Sequence, residues 1–337
     1  MTNAFPSPRR VTVVGDALID ELRDEHGSRE FVGGAALNVA VGLALLNQDV
    51  TLVAMLGDDE PASRIRAYLR DYGVRLVESP SAHGTSRAVS DRTDGEPRYE
   101  FNEAAKRRGL RFDDATRGAL DDADLVVVSC FPFDDATQYA ALVDSISRPG
   151  DRLVVDGNPR SGMLADRDAF LSNFEDFASR SLLVKVGDED AELLLGDSLD
   201  AFVERLLARG SGAVLATAGR DGATLHRAGE RPIHADIVPL PGPVVDTMGA
   251  GDATLAAVVR HMVVGGVPTT NREWAQTLHE AMVIAAATVL IGEALGPAML
   301  RRAITRAGEA HAVGEEVSPL SLRSPRAMIS DYPGPST

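Results

Sequence analysis

Short apolar runs alternate with longer segments of helical periodicity along most of this chain. Val11 to Val14, Val50 to Met55, Leu125 to Val128, Leu153 to Val155, Leu182 to Val186 and Ala213 to Ala216 are runs of the kind buried in parallel sheets. Between them lie helical stretches. Gly33-Gly34 opens the small-residue segment Ala35 to Asn47, Pro61 to Tyr72 carries Pro in its first turn, and Ala253 to Val264 is alanine-rich. This alternation predicts βαβ units and an α/β fold: a doubly wound, mostly parallel sheet flanked by helices.

Two segments break the rhythm. Asp16 to Val32 is polar and too irregular for a crossover helix. Thr85 to Phe101 alternates, turns at Asp94-Gly95 and resumes, which is a hairpin signal. Together they predict a small β-rich lid, residues 16–32 and 85–101, laid over a core of residues 1–15, 33–84 and 102–317. Residues 318–337 hold four prolines and lack an apolar face, so they are expected to form an appended, mobile tail.

The 44% hydrophobic content over 337 residues supports a large core, and the longest apolar run, Ala281 to Ile291, is far short of a membrane span. Cys130 is the only cysteine, which excludes an internal disulfide framework and fits a reducing cytoplasm. A net charge of -16 argues against nucleic acid or an anionic membrane as partner. It leaves room for a nucleotide held by a local cluster of amides and basic side chains.

The strongest chemical signal is Asp246-Thr247-Met248-Gly249-Ala250-Gly251-Asp252. A helix starting at this Gly-Ala-Gly turn would aim unpaired amides and its positive dipole end at a phosphate. Asp252, beside those amides, could accept a proton from a hydroxyl nucleophile. No Walker sequence with Gly-Lys-Ser/Thr is present, which disfavours a P-loop NTPase. The dinucleotide fingerprint fits poorly, because Thr254 replaces the third small residue and the upstream stretch is Pro-rich.

That heptapeptide resembles the C-terminal motif of the ribokinase-like (PfkB) carbohydrate kinases, usually Asp-Thr-Thr-Gly-Ala-Gly-Asp. Four further stretches resemble the family in order. They are Gly15-Asp16-Ala17-Leu18-Ile19-Asp20, Gly33-Gly34-Ala35-Ala36-Leu37-Asn38, Asp156-Gly157-Asn158-Pro159-Arg160 and Thr217-Ala218-Gly219-Arg220-Asp221-Gly222. The third tilts the resemblance toward the fructokinase-like branch.

The resemblance implies transfer of the γ-phosphoryl of ATP to a sugar hydroxymethyl group. Nucleoside and 2-keto-3-deoxygluconate kinases remain alternatives, as does a sugar-binding relative without catalysis. It implies Asp252 as general base, with Gly249, Ala250 and Gly251 as the anion hole. Asp20, Gly33, Gly34 and Asn38 would bind the sugar, and Thr217, Gly219 and Gly222 the nucleotide. Arg160 would contact phosphate or order the sheet edge. Asp246 would lie near a monovalent-cation site, or simply order the turn. A homodimer through the lid is a further implication.

Four positions depart from the family pattern. Gly187 and Asp190 stand where Asn-x-x-Glu is common, which leaves Asp190 as a shorter ligand toward Mg2+ or as an acidic helix start. Met248 replaces a Thr beside the cation site, which bears on K+ activation. Thr254 replaces a usual aromatic and is expected to be a packing difference.

Overall fold

In a computed structural model, residues 9–25, 27–91, 98–146, 152–238 and 248–291 are described. Asp246, the Asp94-Gly95 turn and the tail 318–337 lie outside them. The described strands are β1 (Arg10–Gly15), β2 (Leu18–Asp24), β3 (Gly27–Gly33), β4 (Asp49–Leu56), β5 (Arg75–Pro80), β6 (Ser86–Asp91), β7 (Arg98–Phe101), β8 (Leu125–Ser129), β9 (Leu153–Asp156), β10 (Leu183–Gly187), β11 (Val214–Thr217), β12 (Ala223–His226) and β13 (Ile233–Ala235). The helices are α1 (Ala35–Leu45), α2 (Glu60–Asp71), α3 (Glu103–Lys106), α4 (Asp114–Asp122), α5 (Ala136–Ser145), α6 (Arg167–Ala178), α7 (Asp188–Leu195), α8 (Leu199–Ala208), α9 (Ala250–Gly265) and α10 (Asn271–Ile291).

Nine strands form one sheet in the order β13-β12-β11-β10-β9-β8-β1-β4-β5. It is parallel from β5 to β11 and turns antiparallel only at the β12–β13 edge. The doubly wound architecture read from the apolar runs is therefore present, and each run falls within or overlaps a strand of this sheet. β1 is the switch strand: the chain leaves it toward β4 on one side and reaches β8 on the other. In such sheets the crevice at the carboxyl ends of the strands is where ligands bind.

Opposite faces of the sheet bury separate cores. On one, Val11, Val13 and Leu52 pack against Leu37, Leu43, Leu255, Val259 and Trp274 of α1, α9 and α10. On the other, Phe131, Phe133, Phe170, Phe174, Phe177 and Phe202 form an aromatic cluster, with Phe133 5.2–5.7 Å in ring centroid from Phe131, Phe170, Phe174 and Phe177. The small residues of α1 have a structural cause. A Cβ on Gly42 would meet the Ala256 methyl at 3.0 Å, so α1 and α9 pack nearly backbone to backbone.

The two polar segments pair with each other rather than with the main sheet. β2 and β3 make an antiparallel hairpin, β6 lies parallel to β2, and β7 returns antiparallel along β6, giving the order β3-β2-β6-β7. Asp16 to Val32 looked irregular in sequence because both faces of this hairpin carry polar side chains. The seam to the core is Thr85, whose amide and hydroxyl both bond to the Asp59 carboxylate (2.8 and 2.5 Å). That carboxylate also caps α2 through the Ala62 amide at 3.0 Å.

Candidate functional site

The parallel strands end level with one another. Gly15 pairs with Ser129, Ser129 with Asp156, and Asp156 with Lys185, while Gly187 pairs with Thr217. Facing this row is the N-terminus of α9. Gly249 is its N-cap, at φ 77°, a left-handed backbone that L side chains rarely adopt. Ala250 and Gly251 follow as the first residues of the helix, where amides lack intrahelical partners. The helix begins three residues earlier than its alanine-rich stretch suggested.

Asp252 is buried at the next position, and its Oδ2 accepts a hydrogen bond from Asn38 Nδ2 at 2.9 Å. The close packing of α1 on α9 makes this contact possible. Burial pushes Asp252 up to about 6, against the opposing pull of Lys185 and the Asn38 hydrogen bond. Asn38 and Gly249 are also neighbours: a Cβ on Gly249 would lie 3.8 Å from Asn38 Nδ2.

Lys185 lies directly beneath the turn. A Cβ on Gly251 would meet its Cε at 3.3 Å, and its Nζ is 2.9 Å from Asp156 Oδ2, both side chains being buried. Burial would lower the ammonium, but Asp156, Asp190 and Asp252 together outweigh it and hold Lys185 above its usual range. The other oxygen of Asp156 is buried without a partner. Asp190 is also buried, and burial raises it. Its Oδ2 accepts the Gly187 amide at 2.8 Å, so it caps α7 as an acidic helix start does.

On the other side of the row, Asp20 lies on β2 beside Gly33, the last residue of β3. A Cβ on Gly33 would sit 2.0 Å from Asp20 Oδ2, so only glycine admits that carboxylate. Gly34 caps α1 against Asp16 and Ala17. Asp16 is itself buried, its Oδ1 accepting the Ala36 amide at 2.9 Å. Burial raises Asp16, and the Ala36 bond, Arg108 and Arg160 oppose that rise.

Thr217 ends β11, and its hydroxyl donates to the Val186 carbonyl at 3.3 Å. Gly219 and Gly222 make the turn after it, closed by the Ala218 amide on the Gly222 carbonyl at 3.0 Å. The candidate nucleotide residues thus stand one strand beyond β10, on the opposite flank from Asp20 and Gly33. Asn158 and Cys130, at the ends of β9 and β8, both hold positive φ (41° and 50°) although neither is glycine, a strain that concentrates at functional sites.

The fold brings together Asp252, Asn38, Gly249, Ala250 and Gly251, and sets Asp190 close enough to act on Lys185. Sequence reading did not single out Lys185, Asp16 or Arg108 as site residues. A lysine inside the apolar run Leu182 to Val186 was the available signal for the first. Thr254 is buried with its hydroxyl on the Ala250 carbonyl at 2.8 Å, a packing substitution within α9. Met248 is exposed. Among the described residues no three acids, histidines or cysteines are grouped to hold a metal.

Residues 9–295 match the pfkB family carbohydrate kinase profile. The fructokinase of Klebsiella pneumoniae is 28% identical over 275 residues, covering 77% of this chain and 86% of that protein. Among solved structures, Xylella fastidiosa fructokinase superposes with a TM-score of 0.73 at 20% identity, over 89% of this chain and 99% of that one. The ribokinase of Arabidopsis thaliana gives 0.69 at 22%, over 89% and 98%. With the match extending through the sheet and α9, this chain belongs to the pfkB family of carbohydrate kinases.

Proposed function

We propose that the chain is an ATP-dependent kinase that moves the γ-phosphoryl group to a sugar hydroxymethyl group, as a fructokinase or ribokinase does. The observation that carries the reading is the buried Asp252 held by Asn38 at the N-terminus of α9. It sets a base, its orienting partner and a set of free amides at one point.

In this reaction Asp252 takes the hydroxyl proton while the new O–P bond forms. The bond from γ-phosphorus to its bridging oxygen breaks, and ADP leaves with that electron pair. The amides of Gly249, Ala250 and Gly251 bind the charge that develops on the transferring group. Thr217, Gly219 and Gly222 would line the nucleotide side, and Asp20, Gly33, Gly34 and Asn38 the sugar side. The Xylella fructokinase is described with bound ATP, and the Arabidopsis ribokinase with ribose and ATP, which supports the same pair of substrates here.

Magnesium would neutralise charge on the phosphates. The donor set fits an ion that arrives with the nucleotide, because such ions need only one or two protein carboxylates. Asp190 would be one, with the oxygen not engaged by Gly187. A potassium site near Asp246 belongs to the same reading. Residues 16–32 and 85–101 would act as the lid. Leu22, Phe31 and Tyr99 share the face of Asp20 in strand register, and this supports a homodimer joined lid to lid. A cytoplasmic location, where ATP is abundant and Cys130 stays reduced, completes the proposal.

The test is ADP release with Mg2+ over a panel of ketohexoses, pentoses, nucleosides and sugar acids. Turnover of at least one sugar is expected. Sugar binding without turnover on any acceptor would instead mark a binding protein that kept the fold.

A further inference from the structure

Arg108 follows α3 and lines a small, partly open pocket with Asp16, Ala17, Met55, Ser86 and Cys130. The pocket joins the carboxyl end of β1 to the first residue of β6, so it lies on the acceptor flank of the cleft. Arg108 is only half satisfied there. Its Nη1 reaches the Ala105 and Met163 carbonyls at 3.4 and 3.3 Å, both long, and its Nε is buried with no partner. Among the described residues no carboxylate lies within ion-pair distance of it. Asp16, the acid of the pocket, already accepts the Ala36 amide. Arg160 acts on the same place from the β9 side: both guanidinium groups pull on Asp16 and on the Cys130 thiol.

A guanidinium offers five donors in a planar fork that matches a carboxylate or phosphate. Arg108 is half-buried and its Nε is the donor cut off from water, so an anion entering the pocket would complete a guanidinium that is only partly satisfied. We propose that the acceptor is an anionic sugar, bearing a carboxylate or a phosphate at the end remote from the reacting hydroxyl, and that Arg108 binds that group. The proposal rests on the kinase reading and narrows its substrate. One end of the acceptor places a hydroxyl at Asp252, and the other places its charge at Arg108. In a chain of net charge -16, this local cation would select an anion that the surface as a whole repels.

The experiment compares fructose, 2-ketogluconate and fructose 6-phosphate as acceptors with ATP and Mg2+, for the native protein, Arg108→Leu and Arg108→Lys. One anionic acceptor should exceed fructose in kcat/KM, and the two anionic arms tell carboxylate from phosphate. Arg108→Leu should lower the ratio of anionic to neutral kcat/KM by roughly tenfold or more. Arg108→Lys should keep part of the ratio, and it decides the matter if the leucine variant fails to fold.

Preference for fructose over both anions would overturn the inference. So would an equal loss on all three acceptors, because Arg108 would then read a hydroxyl or support the fold. If no compound yields ADP, the kinase reading fails on its own. Calorimetric titration of the same three compounds then still decides Arg108, and no tighter binding of either anion would refute its role.

Discussion

Asp252 occupies the third residue of a helix that approaches it with free amides, yet burial is the stronger influence on it. With its carboxyl raised to about 6, it is ionised at neutral pH and still basic enough to accept a proton as the O–P bond forms. The kcat/KM profile should therefore fall on its acid limb with an apparent value near 6, as measured from pH 5 to 8.

The stability consequence has the opposite sense. In the unfolded chain an aspartate titrates near about 3.9, so between that value and about 6 the folded state binds more protons. Raising pH through this window removes stability, by up to about 3 kcal/mol from this group. Asp252→Asn should lower kcat by about a hundredfold to ten-thousandfold while leaving the melting temperature at pH 8 unchanged or higher. Near-native turnover in that variant would remove Asp252 from the role of base. The Asn side chain can still accept from Asn38, so ATP binding should survive.

At the scale of elements, the pairing of β9 with β10 places a cation under α9. Lys185 and Asp156 are neighbours in register and both are buried, so removing one leaves the other charged and uncompensated. Lys185→Met should cost about 3–5 kcal/mol in urea unfolding, and adding Asp156→Asn to it should restore more than half of that loss. Simple additivity of the two changes would mean that they do not interact.

This pair also marks where sequence reading ends. The apolar strands of a parallel sheet and the Gly-Ala-Gly turn with Asp252 are legible because local composition carries them, and Asn38 is legible through the family resemblance. Their meetings are not. Asn38 and Asp252 lie 214 residues apart, Lys185 and Asp156 lie 29 apart, and Asp16 and Ala36 lie 20 apart. What joins them is strand order and helix contact, which no local pattern specifies. The hairpin of β2 and β3 was legible only as something β-rich, because Glu21, Arg23, Arg29 and Glu30 replace the apolar alternation that usually announces a strand. The edge strands β12 and β13, four and three residues long, are too short to register as periodicity.

Across the whole molecule, the small sheet is held together by a charge network that one pair extends to the core, beside the apolar contacts of Ile19, Val32 and Phe101. Glu21 and Glu30 stand directly opposite on β2 and β3, a like-charge pair that would separate the strands if unrelieved. Arg87 of β6 relieves it by bonding to both, to Glu21 at 2.9 Å, and Arg64 of α2 binds Glu30 at 2.5 Å. Hydrogen bonds from Arg23, Ser28 and Arg87 lower Glu21 to about 2, and those from Arg87 and Arg64 lower Glu30.

Depressed carboxylates contribute stability that is present above the unfolded value of about 4.5 and lost as pH falls toward 2. All four side chains are partly solvated, so each pair contributes modestly and salt should weaken the set. Arg87→Met removes the bridge and leaves Glu21 facing Glu30. Amide hydrogen exchange should then quicken in residues 18–33 and 86–91 while α9 stays protected, and the sugar KM should rise several-fold with a smaller change in kcat. Adding 0.5 M salt to the native protein should move exchange in the same direction, since the Debye length then falls well below about 8 Å. If Arg87→Met left exchange in β2 and β3 at native rates, the charge network would not be what holds the small sheet over the cleft. The Thr85 bonds to Asp59, the buried Ile19 and the contact of Phe101 with Gly162, where a Cβ would meet the ring at 2.5 Å, would then be the remaining tethers.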